Sequence, residues 1–97
     1  MKELLENRTD KRKFCTVTFD YTFSRVNDES GLESSNAKGV SSNISKGGLG
    51  FYTSMGLEAG QPITIYHNRI FDHPVSAEVR WCVKQSDSLF KIGVCFN

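Results

Sequence analysis

Two stretches have the residue types and spacing for ligand chemistry. The first is Arg8-Thr9-Asp10-Lys11-Arg12. In an extended chain its two arginines stand roughly 13 Å apart, and on a helix they share one face at about 6 Å. In either form two guanidinium forks can address two parts of one anion. Each fork donates bidentately to phosphate oxygens, pairs with the O6/N7 edge of guanine, or stacks flat on a base. The second stretch is Asn43-Ile44-Ser45-Lys46-Gly47-Gly48-Leu49-Gly50-Phe51. In a strand, Asn43 and Ser45 project from one surface with Ile44 packed behind them. The Asn43 carbonyl and the Ser45 hydroxyl accept hydrogen bonds from the N–H groups of a purine. Gly47 and Gly48 let the chain turn and let another molecule approach the backbone closely. Together the two stretches suit an anionic purine ligand.

Catalytic patterns are missing. There is no Gly-x-Ser-x-Gly, no His-Glu-x-x-His and no phosphate-binding glycine loop ahead of a helix. The carboxylates are scattered without an acid/base pair. His67 and His73 lie near one turn without metal-ligand spacing and read as surface or turn histidines. Cys15, Cys82 and Cys95 are widely spaced and odd in number, which reads as free thiols in a reducing compartment. The net charge of +1 gives no global attraction to nucleic acid or membrane, so any charge effect is local to the segment around Arg8 and Arg12. No apolar run approaches the roughly 18 residues of a membrane span. Residues 1–13 lack the apolar core of a signal peptide, so a cytoplasmic location is expected.

These stretches need a scaffold, and the sequence writes one in strands. A chain of 97 residues is one domain by default. Cys15, Val17, Phe19, Tyr21 and Phe23 alternate with Thr16, Thr18, Asp20 and Thr22, the pattern of a half-buried strand. Residues 24–36 are polar and read as a loop, or as a hairpin that partly extends its flanking strands. A second strand is expected over 37–43 and a third over 49–53. In a fourth, after Pro62, Ile63 and Ile65 line one face with His67 in the same phase. Val75, Ala77, Val79, Trp81 and Val83 mark the core face of a fifth, which places Trp81 in the core. Phe90, Ile92, Val94 and Phe96 mark a sixth. No long amphipathic helix interrupts them, so the architecture is an all-β barrel or sandwich.

Arg-x-x-x-Arg before a first strand, followed by (Asp/Asn)-x-Ser-x-x-Gly on a second, resembles the signature pair of PilZ domains. Here these are Arg8 to Arg12 and Asn43 to Gly48. Gly48-Leu49-Gly50-Phe51, Leu57 to Ile63, Val79-Arg80-Trp81 and Ile92 to Phe96 extend the likeness over nearly the whole chain. The resemblance implies a six-stranded antiparallel Greek-key β-barrel over 14–97. It also implies a flexible N-terminal switch segment over 1–13. Many PilZ domains continue into a helix after the last strand; this sequence departs from them, ending at Asn97, and little or no C-terminal helix is expected. The implied ligand is cyclic di-GMP, a bacterial second messenger, with no further cofactor and no metal. Arg8 and Arg12 would grip the phosphates and guanine Hoogsteen edges, while Asn43, Ser45 and Gly48 would hold a guanine on the barrel surface. Asn43 stands where the family often has Asp, which implies weaker binding. A tryptophan near Trp81 stacks on the ligand in some relatives. The expected role is a receptor or adaptor, not an enzyme, whose N-terminal segment orders on binding and changes the surface shown to a downstream effector protein. Two other readings compete: a PilZ-type barrel that only binds proteins, and a small barrel that binds single-stranded nucleic acid.

Overall fold

The computed structural model describes residues 13–14, 16–27, 29, 31–69 and 71–97. Arg8, Arg12 and Cys15 lie outside them, as does the proposed switch segment up to residue 12. The strands are β1 (Lys13–Phe14), β2 (Thr18–Asn27), β3 (Gly31–Ile44), β4 (Gly48–Thr53), β5 (Pro62–Tyr66), β6 (Val75–Ser86) and β7 (Leu89–Phe96). All pairings are antiparallel. The order β3-β2-β5-β6-β7-β4 closes on itself through a β3–β4 pairing, giving a six-stranded barrel with the two-residue β1 beside β3. β5, β6 and β7 form a meander, and β4 returns by a longer connection to lie against β7, which is the Greek-key arrangement. Among the described residues there is no helix, and so none long and apolar enough to cross a membrane.

Alternation fills the barrel. Phe19, Tyr21 and Phe23 from β2, Leu49 and Phe51 from β4, Ile63 and Ile65 from β5, and Ile92 and Val94 from β7 are all buried. Phe19 meets Phe51 edge-on at 5.1 Å between ring centres, a favourable aromatic geometry. The Tyr21 hydroxyl is satisfied inside this core by Thr53 Oγ1 at 2.8 Å, and Thr53 Oγ1 donates in turn to Lys38 O at 2.9 Å.

The structure corrects the sequence reading in three places. β2 starts at Thr18. Of the two readings of residues 24–36 the hairpin that extends its flanking strands is the one found: the β2–β3 ladder runs unbroken to Asn27 and Gly31. Polar residues dominate the sequence of this hairpin end, so it carries no clear periodicity to read. His67 is no surface histidine. It is 1% exposed, stacked on Phe19 at 5.1 Å, with Nε2 3.4 Å from Ser41 Oγ. Burial lowers its pKa, and the Arg69 charge acts in the same direction. His73 is exposed, as expected.

Trp81 is not in the core. It is 44% exposed, and Val83 is 50% exposed. The cause is a bulge: Val79 pairs with Val94 and Trp81 with Gly93, so Arg80 is an extra residue in β6. One extra residue reverses the faces of everything after it. Cys82, expected outside, therefore packs against the core, and Trp81 and Val83 turn out. Cys82 and Cys95 are free thiols.

Candidate functional site

A second bulge shapes the other stretch singled out above. In β3, Ser41 pairs with Phe51 and Asn43 with Gly50, so Ser42 is the extra residue. Ser41 faces inward and is buried, its hydroxyl donating to Val17 O at 3.2 Å and accepting from Val17 N at 3.1 Å. Strict alternation would send Asn43 inward as well. The bulge instead turns Asn43 out and sends Ile44 against the core, opposite Leu49. Ser42 Oγ donates to Gly50 O at 3.2 Å and holds the distortion in place.

The two bulges put one row of residues across four strands. Asn43 in β3 pairs with Gly50 in β4, Gly50 with Gly93 in β7, and Gly93 with Trp81 in β6. Three inter-strand steps span roughly 14 Å. The row therefore has an amide at one end, an indole at the other and a glycine floor between them, over which both end groups lean: a Cβ on Gly50 would crowd Asn43 Oδ1. The floor is shaped by close approach. A Cβ on Gly93 would overlap the Trp81 indole at Cε2, Cζ2 and Nε1, so the ring lies directly over this glycine. A Cβ on Gly48 would overlap the Val94 carbonyl oxygen. Such close contacts explain glycines inside strands, where they otherwise weaken the sheet.

This row opens into a cleft of about 280 Å³ that also takes in Ser45, Gly47, Gly48, Arg80 and Lys91. Ser45 N donates to Gly48 O at 2.9 Å, closing the turn that joins β3 to β4. The cleft thus brings together Asn43, Ser45 and Gly48, three of the five residues expected to bind ligand. Arg8 and Arg12 lie outside the described residues. β1 nevertheless gives the chain's point of entry: Lys13 pairs with Ile44 and Phe14 with Asn43. Residue 12 is one peptide bond from this wall of the cleft.

Arg80, Trp81, Lys91 and Gly93 were not among the expected site residues. Gly93 gave a signal, since a lone glycine in the alternating run Ile92-Gly93-Val94 marks close approach. The Arg80 bulge gave none. The cleft's charge is positive: Arg80 and Lys91 line it, and Lys46 is exposed on the turn above. Lys91 Nζ sits 5.5 Å from the Tyr52 ring centre, a cation–π distance. Among the described residues no group of three or more His, Cys, Asp or Glu could hold a metal ion. A basic, partly flat, amide-bearing cleft suits an anionic planar ligand.

Comparison with protein families gives one match, the PilZ domain model, over residues 6–97. No curated protein matches the chain.

Proposed function

Because the chain belongs to the PilZ domain family, a family of ligand-binding and adaptor domains whose general role is reception of cyclic di-GMP, we propose that it binds this dinucleotide in the cleft between Asn43 and Trp81. The observation that carries the reading is the row Asn43–Gly50–Gly93–Trp81, in which the indole lies over Gly93 and Asn43 Oδ1 over Gly50, so that a half-exposed aromatic face and a hydrogen-bond acceptor line the same cleft. In this reading a guanine lies in the cleft against the outer face of the indole. Asn43 Oδ1 and Ser45 Oγ accept from its N–H groups, and the exposed face of Trp81 is free to stack on it. Arg80 and Lys91 raise the local anion concentration.

Arg8 and Arg12 supply the phosphate grip. They belong to a charged, apolar-poor segment with little reason to hold one conformation alone. A ligand bound to both the segment and the barrel orders the first against the second, so that ligand concentration sets the surface offered to a cytoplasmic effector protein. The pairing of Lys13 with Ile44 supports this arrangement, because it delivers the segment to the correct edge of the cleft.

Calorimetric titration of the purified domain with cyclic di-GMP tests the proposal. Saturable binding near micromolar concentration is expected, weakened about 10- to 150-fold by Arg12→Ala through loss of charge-assisted hydrogen bonds. No saturable binding by the wild type would leave a barrel that binds only proteins. Wild-type affinity in Arg12→Ala would remove the arginine from the site.

A further inference from the structure

The β2–β3 hairpin runs on past the barrel. The β5 pairing leaves β2 at Phe23, and the β4 pairing leaves β3 at Gly39, yet the hairpin ladder continues to Asn27 and Gly31. The two outer edges of this arm differ. On β2, Gln61 Nε2 donates to Ser24 O at 2.7 Å, and Gln61 Oε1 accepts from Glu58 N at 3.0 Å, so the edge is capped where β5 ends. On β3, among the described residues, no strand pairs with the outer edge between Gly31 and Lys38.

The backbone groups aimed at this edge can be identified. Lys38 O accepts from Thr53 on the β4 side of β3, and Ser24 O accepts from Gln61 on the β5 side of β2. Backbone groups alternate in direction along a strand. The residues of β3 in phase with Lys38, namely Leu32, Ser34 and Asn36, therefore direct N–H and C=O outward, and those between them bond to β2.

We propose that this edge pairs, antiparallel, with the same edge of a second copy of the chain, about a two-fold axis through Ser34. In that register Ser34 faces Ser34 of the second copy, and Leu32 and Asn36 face each other in both directions. Three pairs exchanging two hydrogen bonds each use every outward group of the three residues. No like charges stand directly opposite each other in this register. Glu33 faces Ser35 of the second copy, and Gly31 faces Ala37. The two Glu33 side chains meet only on the diagonal, at roughly 7–8 Å. Each Glu33 also stands opposite Arg25 of its own β2.

Lys38, a charge that could guard the edge, is bonded to Asp20 at 2.6 Å. The stretch contains no proline and no bulge. Edges left without such devices are templates for pairing. A two-stranded ribbon is marginal alone, and pairing makes it four-stranded.

Sedimentation of the full chain across roughly 10 μM to 1 mM, the range of weak interfaces, tests this. The wild-type mass should rise from 10.9 kDa toward twice that value. Ser34→Pro removes an outward N–H without touching the β2 ladder, and should raise the dimer Kd at least about tenfold. Ser34→Lys, which sets like charges face to face, should do the same, with Trp81 emission confirming that both variants are folded. Ser34→Cys, oxidised in air, should yield a Cys-to-Cys link between position 34 of the two copies, mapped by peptide mass spectrometry. A wild type that stays at 10.9 kDa throughout overturns the proposal. So does self-association that neither folded Ser34→Pro nor folded Ser34→Lys weakens. Absence of the position-34 cross-link overturns the register.

Discussion

Replacing Gly93 by alanine tests the seat of Trp81. A Cβ at this position would overlap three atoms of the indole, so the ring must leave the floor. It has room to do so, being 44% exposed. Overpacking costs about 1–3 kcal/mol when neighbours are confined, and alanine recovers roughly 0.5–1 kcal/mol relative to glycine within a strand. The net loss of stability is about 2.5 kcal/mol at most, a fall in Tm of no more than roughly 20 °C for a domain of this size. Ligand affinity should suffer independently. Loss of a base–indole stack is worth about 1–3 kcal/mol, or roughly 5- to 150-fold in Kd. Trp81 is the sole tryptophan of the chain, so its fluorescence reads the first effect directly. Emission should shift to the red and acrylamide quenching should increase. A variant with wild-type emission, quenching and affinity would refute the placement of the indole over Gly93 and its part in the cleft.

Other outcomes follow from the same geometry. Gly48→Ala meets a backbone carbonyl, which cannot swing aside, and should cost about 1–3 kcal/mol through the β4–β7 pairing, read as a lower Tm. Asn43→Asp restores a charged acceptor opposite guanine N–H groups and should tighten dinucleotide binding in calorimetry; unchanged or weaker binding would count against Asn43 contacting the base. His67 has a folded-state pKa below its unfolded value, so the unfolded chain binds the extra proton. This contribution to stability is complete above the unfolded value near 6.5 and falls with pH below it, by at most about 1.4 kcal/mol per pH unit until the folded pKa is passed. Urea melts between pH 7.5 and 5 should show this slope in the wild type, and His67→Gln should flatten it.

The fold was legible wherever alternation met a core. Phe19, Tyr21 and Phe23, or Ile92 and Val94, report their face through period two because one side is wet and the other dry. The hairpin end was read only as one of two alternatives because polar residues dominate it and give no clear alternation. His67 was misread because a titratable side chain near a turn looks solvated, while its phase with Ile63 and Ile65 pointed inward. Trp81 was misplaced by a bulge that leaves no mark on residue types, since Val79-Arg80-Trp81 alternates as well with an insertion as without one. Of the candidate site, Asn43, Ser45 and Gly48 were readable as a linear motif. Arg80, Trp81, Lys91 and Gly93 come from strands distant in sequence, and only the β4–β7 and β6–β7 registers bring them to the same cleft.

The most direct measurement is a titration of the ¹⁵N-labelled domain with cyclic di-GMP followed by amide and indole N–H resonances. Binding in the cleft gives saturable shifts concentrated at residues 43–50, at Gly93 and at the Trp81 indole, with the amides of Arg8 to Arg12 moving to dispersed positions as the segment orders. Resonances that do not move at near-millimolar dinucleotide, or that move on another face of the barrel, would contradict it.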